Sequence, residues 1–224
     1  KMILNAKKTY LQVAINGTQF DANNIISQLP VSDKLILEAG TPFIKQYGMN
    51  GVSTLVSQWR WKVGEGAYVI ADMKTIDRAA TEVELVKGAG ASGIICMASA
   101  PVATIKTFIK SCKETGIDSY LDFMGIPYPH KRLREIGEIP DVVLLHRGVD
   151  EEAEKLNKVP LPIHQINQVL ASYNVMMGIA GGDSLREVQS AIFNSAKIVV
   201  LWKQFFSSKD FDKTAFEEFL GQVK

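Results

Sequence analysis

Residues 67–88 read AYVIADMKTIDRAATEVELVKG. The run 67–72 is short, apolar and ends in an acid. A polar stretch follows, and then Ala79, Val83 and Val86 recur at spacings of four and three, the apolar stripe of a helix. A near-continuous apolar run of this length suits a parallel strand covered on both faces. The segment therefore reads as strand, charged turn, helix, with its charges at the strand's C-terminal end.

The same unit recurs in both directions along the chain. Seven further apolar runs share its length and its richness in Val, Ile, Leu or Met: 10–15, 34–39, 93–98, 119–124, 142–146, 175–180 and 197–202. Helical patterns lie between them. Residues 101–116 open on Pro101, carry Ile105, Phe108 and Ile109 on one face, and close on Gly116. Ser184 is a good N-cap for 184–194, with Glu187 placed for a capping box. Phe216, Phe219 and Leu220 stripe 212–223, and 160–172 is Pro-led and then helical. Eight strands alternating with helical segments predict a single-domain (β/α)8 TIM barrel, an α/β fold spanning 1–224. An open doubly wound sheet is the competitor, and it is usually built from fewer strands.

Composition narrows the function classes. The 224 residues are 46% hydrophobic and carry a formal net charge of +1, which excludes a disordered chain. No block of like charge suggests a nucleic-acid arm or a membrane-surface patch. No apolar run approaches the ~18 residues of a membrane span. The opening KMILNAKKTYLQVAIN is polar and lacks a small-residue cleavage site, so no secretory leader is expected. Cys96 and Cys112 form neither a disulfide framework nor a metal pair and read as buried thiols in a reducing cytoplasm.

In a barrel the active site collects at the C-terminal ends of the strands. The polar residues there are Asn16 after the first run, Glu38 in the second, and Asp72, Lys74 and Asp77 after the third. Asp122 lies in the fifth run, His146 ends the sixth, and Gly181 and Gly182 follow the seventh. Buried carboxylates are costly unless paired or metal-bound, so their convergence on one mouth points to chemistry. Strand alternation puts Asp72 and Lys74 on one side, where the pair could orient a hydroxyl, hold a divalent cation or steady an oxyanion. Glu38 would add an oxygen ligand, and His146 a general acid or base. The glycines could cradle a phosphate. Each also has a plain structural reading: a strand-end salt bridge for Asp72–Lys74, a satisfied barrel-layer residue for Glu38, a hydrogen-bonded histidine for His146, a tight turn for GIAGG. His130 and His164, in helix-start segments, read as structural or surface residues, and Trp59 and Trp61 as packing or surface anchors.

Several stretches together resemble the orotidine 5'-monophosphate decarboxylase superfamily: LQVAIN (11–16), LEAGTPFIKQYGMNGV (37–52), IADMKTIDRAATEVEL (70–85), LDFMGIP (121–127), LHRGVD (145–150) and IAGG (179–182). Within it, EAGTP and EVEL favour the branch of 3-hexulose-6-phosphate synthase and 3-keto-L-gulonate-6-phosphate decarboxylase. The resemblance implies a lyase that adds formaldehyde to ribulose 5-phosphate through an enediolate. It implies Mg2+ on Glu38 and Asp72, enediolate stabilisation by Lys74 and proton transfer by His146. It assigns substrate hydroxyls to Asp122 and phosphate to Gly181 and Gly182. It also implies a cytoplasmic homodimer in which Asp77 reaches the partner's site, with a sugar phosphate as the small-molecule partner. Two positions depart from the family pattern. Asn16 stands where an aspartate is usual, and Leu201–Trp202 replace small or cationic residues after strand 8. The alternatives are orotidine 5'-monophosphate decarboxylation, which needs no metal, and a divergent homologue that takes another substrate or only binds a ligand.

Overall fold

The computed structural model describes residues 2–150, 161–181, 184–201 and 213–223. The eight apolar runs form eight strands: β1 Tyr10–Ile15, β2 Leu35–Ala39, β3 Val69–Thr75, β4 Gly93–Met97, β5 Asp118–Asp122, β6 Val142–His146, β7 Met176–Ala180 and β8 Ile198–Leu201. All pair in parallel with their sequence neighbours, and β8 returns to β1 through Leu11 opposite Val199, so the sheet closes into a (β/α)8 barrel with no free edge. Eight α-helices surround it among the described residues: α1 Gln19–Gln28, α2 Thr41–Val63, α3 Ala79–Gly88, α4 Val102–Thr115, α5 Pro129–Ile136, α6 Ile163–Leu170, α7 Leu185–Phe193 and α8 Lys213–Gln222.

Strand alternation sorts the apolar residues into two shells. Leu11, Val13 and Ile15 of β1 face outward and pack with Phe43, Trp59, Phe108 and Phe216 from the helices. Tyr10, Ile36, Ile70, Ile95, Tyr120, Leu144 and Ile198 fill the barrel interior. This two-sided burial is why the strands read as continuous apolar runs rather than alternating ones.

The N-terminal end of the barrel is sealed. Leu4 packs into the interior cluster, and the backbone amides of Ile3 and Leu4 donate to the two Asp118 carboxylate oxygens at 2.6 and 3.0 Å. The Tyr68 hydroxyl donates to the same carboxylate at 2.9 Å and lies 3.2 Å from the Tyr120 hydroxyl.

Some expectations needed correction. Regular alternation does not carry β3 to its end. Ala71 is opposite Ile94 and Thr75 opposite Cys96, so β3 spends four residues where β4 spends two. Lys74 sits inside this bulge with φ of 48°. A left-handed non-glycine residue costs of order 1–3 kcal/mol and persists only where its surroundings enforce it. Helix α2 extends over 23 residues from a Pro near its start, interrupted at Gly48 (φ 59°). The capping box is complete at α1, where the Thr18 side chain accepts from the Asp21 amide and the Asp21 side chain from the Thr18 amide. At α7 the Ser184 hydroxyl accepts from the Glu187 amide, while the Glu187 carboxylate is engaged by Arg147 and the Ser184 hydroxyl. Both cysteines are buried. Trp59 is fully buried, whereas Trp61 is exposed.

Candidate active site

At the C-terminal mouth of the barrel the strand ends enclose a cavity of about 390 Å3. Asn16, Glu38, Asp72, Lys74, Asp122, His146 and Gly181 all line it, together with Thr41, Arg147 and Asp150. A larger groove of about 520 Å3 lies on the outer face between α1 and α2, but its lining (Ile26, Trp61 and Lys62 among others) includes no carboxylate. The chemistry is concentrated at the barrel mouth.

Asp122 is the hub. Its side chain is fully buried, and Oδ2 meets the Lys74 ammonium at 3.0 Å and His146 Nδ1 at 2.8 Å. Oδ1 accepts from the Met124 amide at 2.8 Å. Burial alone would raise this carboxyl, but the His146 and Lys74 cations and their hydrogen bonds outweigh it and hold it at about 2. For His146 the balance is reciprocal. Burial pushes the imidazole down, the Asp122 carboxylate pushes it up, and the net shift is upward. With Nδ1 committed to Asp122, Nε2 is the ring nitrogen left for proton transfer.

Lys74 also lies 3.3 Å from Asp72 Oδ2. Burial opposes its charge, but Asp122 and Asp72 more than compensate, so the ammonium persists well beyond its ordinary range. The β3 bulge makes this possible, because it aims Lys74 across the mouth at Asp122 while keeping it beside Asp72.

Two carboxylates, Asp72 and Glu38, complete the charged set. The Thr41 hydroxyl contacts the Asp72 backbone carbonyl and Oδ2 at 2.9 and 2.8 Å, while Asp72 Oδ1 is buried without a hydrogen-bond partner. Burial raises the Asp72 carboxyl. Glu38 accepts from Gln12 Nε2 at 2.6 Å, and burial, reinforced by Asp72, pushes it up to about 7. Glu38 and Asp72 thus form an under-compensated acidic pair with an oxygen to spare. Among the described residues no cluster of three or more metal-ligating side chains occurs. A hard cation such as Mg2+ is commonly held by one or two carboxylates, with waters and substrate oxygens completing its shell, and this donor set fits that pattern.

The remaining expected residues divide. Asn16 lines the mouth, its side chain seated over Gly40, where an added Cβ would fall 2.0 Å from Asn16 Oδ1. Gly181 lines the cavity with φ of 97°. Asp77 is exposed and outside the cavity lining. Gly182 and Trp202 lie outside the described residues. Sequence reasoning missed Thr41, Gln12 and Arg147. Gln12 is marked as a polar residue inside an apolar strand, whereas nothing local marks where the Arg147 side chain turns.

Comparison with known proteins places the fold and the family. Residues 9–203 match the family model described as orotidine 5'-phosphate decarboxylase / HUMPS family. The bifunctional enzyme Fae/Hps of Methanococcoides burtonii is 36% identical over 207 residues, 92% of this chain and 51% of that protein. Its counterpart in Methanocella arvoryzae is 30% identical over 204 residues, 91% of this chain and 50% of that protein. The chain spans about half the length of these curated relatives. Among solved structures, 3-hexulose-6-phosphate synthase from Salmonella typhimurium superposes with a TM-score of 0.83 at 24% identity, covering 96% of this chain and 98% of that one. The 3-keto-L-gulonate-6-phosphate decarboxylase from Vibrio cholerae gives 0.76 at 21% identity, covering 96% and 97%. With the barrel closed and the Asp72–Lys74 pair at its mouth, the match over residues 9–203 places this chain in the orotidine 5'-phosphate decarboxylase / HUMPS family.

Proposed function

We propose that the chain is a carbon–carbon lyase of the hexulose-6-phosphate synthase type, joining formaldehyde to ribulose 5-phosphate. The observation that carries this reading is the Asp122 carboxylate shared by Lys74 and His146, with Lys74 also meeting Asp72 of the Glu38–Asp72 pair in one cavity. The reaction removes a proton from the hydroxymethyl carbon beside the ketose carbonyl. The resulting enediolate attacks the formaldehyde carbon, and the former aldehyde oxygen takes up a proton, giving D-arabino-3-hexulose 6-phosphate.

The chain's own groups divide this work. His146, oriented through Nδ1 by Asp122, moves protons at Nε2. The Lys74 ammonium, kept charged by two carboxylates, would steady the negative charge that develops on the enediolate oxygens. On this reading Asp122 and Asn16 would orient substrate hydroxyls, and Gly181 would receive the phosphate. Glu38 and Asp72 would hold a divalent cation, which when bound would supply Lewis-acid compensation for the same oxygens.

The reading includes a cytoplasmic homodimer in which the exposed Asp77 serves the neighbouring site. The names of the half-matched relatives and the site's charge pattern support the synthase reading.

The test is formaldehyde-dependent consumption of ribulose 5-phosphate by purified protein with Mg2+, repeated with EDTA. Chelator-sensitive turnover is expected. Chelator-insensitive release of CO2 from orotidine 5'-monophosphate, with no aldol product, would overturn the reading in favour of the decarboxylase. Tight binding of a phosphorylated ketose with no turnover would replace it with a binding role.

A further inference from the structure

Arg147 follows His146 on the chain and lines the same cavity, yet its side chain is only 1% exposed. Its amide donates to the Ala180 carbonyl at 3.1 Å, carrying the β6–β7 ladder beyond His146. Its guanidinium then reaches forward. Nη2 donates to the Gly181 carbonyl, and Nη1 meets Glu187 Oε1 at 3.1 Å. Glu187 in turn is joined to Ser184, the N-cap of α7. The Glu187 amide donates to Ser184 Oγ at 3.3 Å, and Ser184 Oγ donates to Glu187 Oε2 at 3.2 Å. One side chain therefore ties the end of β6 to the exit of β7 and to the first turn of α7.

Stability alone does not call for this arrangement. A buried ion pair is often no better for stability than well-packed apolar groups of the same volume. What a guanidinium adds is a rigid planar fork that fixes two acceptors at once. Gly181 is shaped to it. Its φ is 97°, and an added Cβ would lie 3.0 Å from Arg147 Cβ and 3.2 Å from the Arg147 carbonyl oxygen. The wall held by this fork lies across the cavity from the Glu38–Asp72 pair, where the proposed function puts the anionic end of the substrate.

We infer that Arg147 is a positioning residue for the phosphate monoester of the substrate, acting through Gly181 and Glu187 rather than by touching the phosphate. The inference rests on the reading that this cavity takes a ketose phosphate.

Two variants test it, Arg147→Lys and Glu187→Gln, each first checked by thermal denaturation to be folded. Arg147→Lys keeps the charge and loses the fork; Glu187→Gln keeps the guanidinium and loses its anchor to α7. Both are expected to raise KM for ribulose 5-phosphate about tenfold while kcat changes less than about threefold, the pattern of lost uniform binding. Both should leave the binding of unphosphorylated ribulose, followed by calorimetric titration, unchanged. Tighter binding in Glu187→Gln would overturn the inference, because it would mean that Arg147 meets the phosphate directly and Glu187 competes for it. Unchanged KM in either variant, or an equal weakening of ribulose binding, would overturn it too. The synthase reading fails separately, if the unaltered protein has no turnover. Calorimetric titration with ribose 5-phosphate then decides the inference alone: weaker binding in both variants upholds it, and binding equal to that of the unaltered protein in either one overturns it.

Discussion

Two aspartates four residues apart on β5 face the inside of the same barrel and have opposite lives. Asp118, near the N-terminal end, is enclosed by backbone amides of Ile3 and Leu4 and by the Tyr68 hydroxyl. Asp122, near the C-terminal end, is enclosed by an ammonium and an imidazole and opens onto a cavity. Burial raises Asp118, with its hydrogen bonds only partly offsetting it. Asp122 is at least as buried, yet it is held at about 2 by charged neighbours. Residue type, strand and face are the same. What separates a plug from a catalytic hub is whether the partners are fixed dipoles that seal the site or charged side chains that can exchange protons with a substrate.

The largest expected effect falls at the C-terminal end. Lys74→Ala should lower kcat/KM for the proposed reaction by roughly 10²–10³ or more, the scale of losing one preorganised charge at a developing oxyanion. The fold should survive at reduced stability: Ala keeps the left-handed strain and removes a cation from beside two buried acids, but Asp122 retains His146 as its partner. Steady-state kinetics with a thermal melt checks this, and near-normal activity would break the contrast between the two ends.

Asp122→Asn sharpens the contrast through pH. His146 is raised by Asp122 against the lowering effect of burial, so its protonated form persists above the ordinary histidine range and is lost as pH rises through the raised value. Without the carboxylate, burial dominates and the imidazole titrates at lower pH. The alkaline limb of the kcat profile should move to lower pH in this variant, and an unmoved limb would show that His146 is not the group titrating. Stability should change as well. A carboxyl at about 2 in the folded state, against an ordinary 3.8, contributes stability that is present above about 4 and lost as pH falls through about 2. That shift corresponds to about 2 kcal/mol, shared with the His146 and Lys74 contacts rather than added to theirs. Acid unfolding followed by circular dichroism should therefore show a shallower loss for Asp122→Asn.

The smallest catalytic effect belongs to the N-terminal end. Asp118→Asn removes one acceptor from a buried network and should cost about 1–3 kcal/mol in denaturant unfolding. The rate should stay within a few fold. Because the folded-state carboxyl is raised, its protonation favours folding of the parent alone, and the stability gap between this variant and the parent should widen as pH falls through the carboxyl's range. A large loss of activity would mean that the plug communicates with the mouth.

The order of elements was legible because each strand is buried on both faces, which leaves an apolar run bounded by polar residues. Tyr10–Ile15 and Val142–His146 coincide with their runs. Most of the mouth was legible for a related reason: Glu38, Asp122 and His146 interrupt or end apolar runs, where a charge needs a partner. Arg147 was not, because one residue beyond a strand its direction depends on a contact with Gly181, 34 positions away. Lys74 was placed beside Asp72 for the wrong reason. Alternation predicted it, but a bulge and a left-handed backbone deliver it.

The sequence by itself determined the alternation of strands and helices, the closed parallel barrel that alternation favours, and the residue types gathered at its mouth. Those follow from local periodicity and from the cost of burying charge, both of which act on every residue wherever it sits. Tertiary structure decided the rest. It sealed one end of β5 with the chain's own amides and opened the other to a cavity. It shared Asp122 between Lys74 and His146, left Asp72 Oδ1 without a partner, and set Arg147 against Gly181. Each of these depends on which distant groups meet in a low-dielectric interior, where a single opposite charge or a backbone amide decides the protonation and role of the same carboxylate.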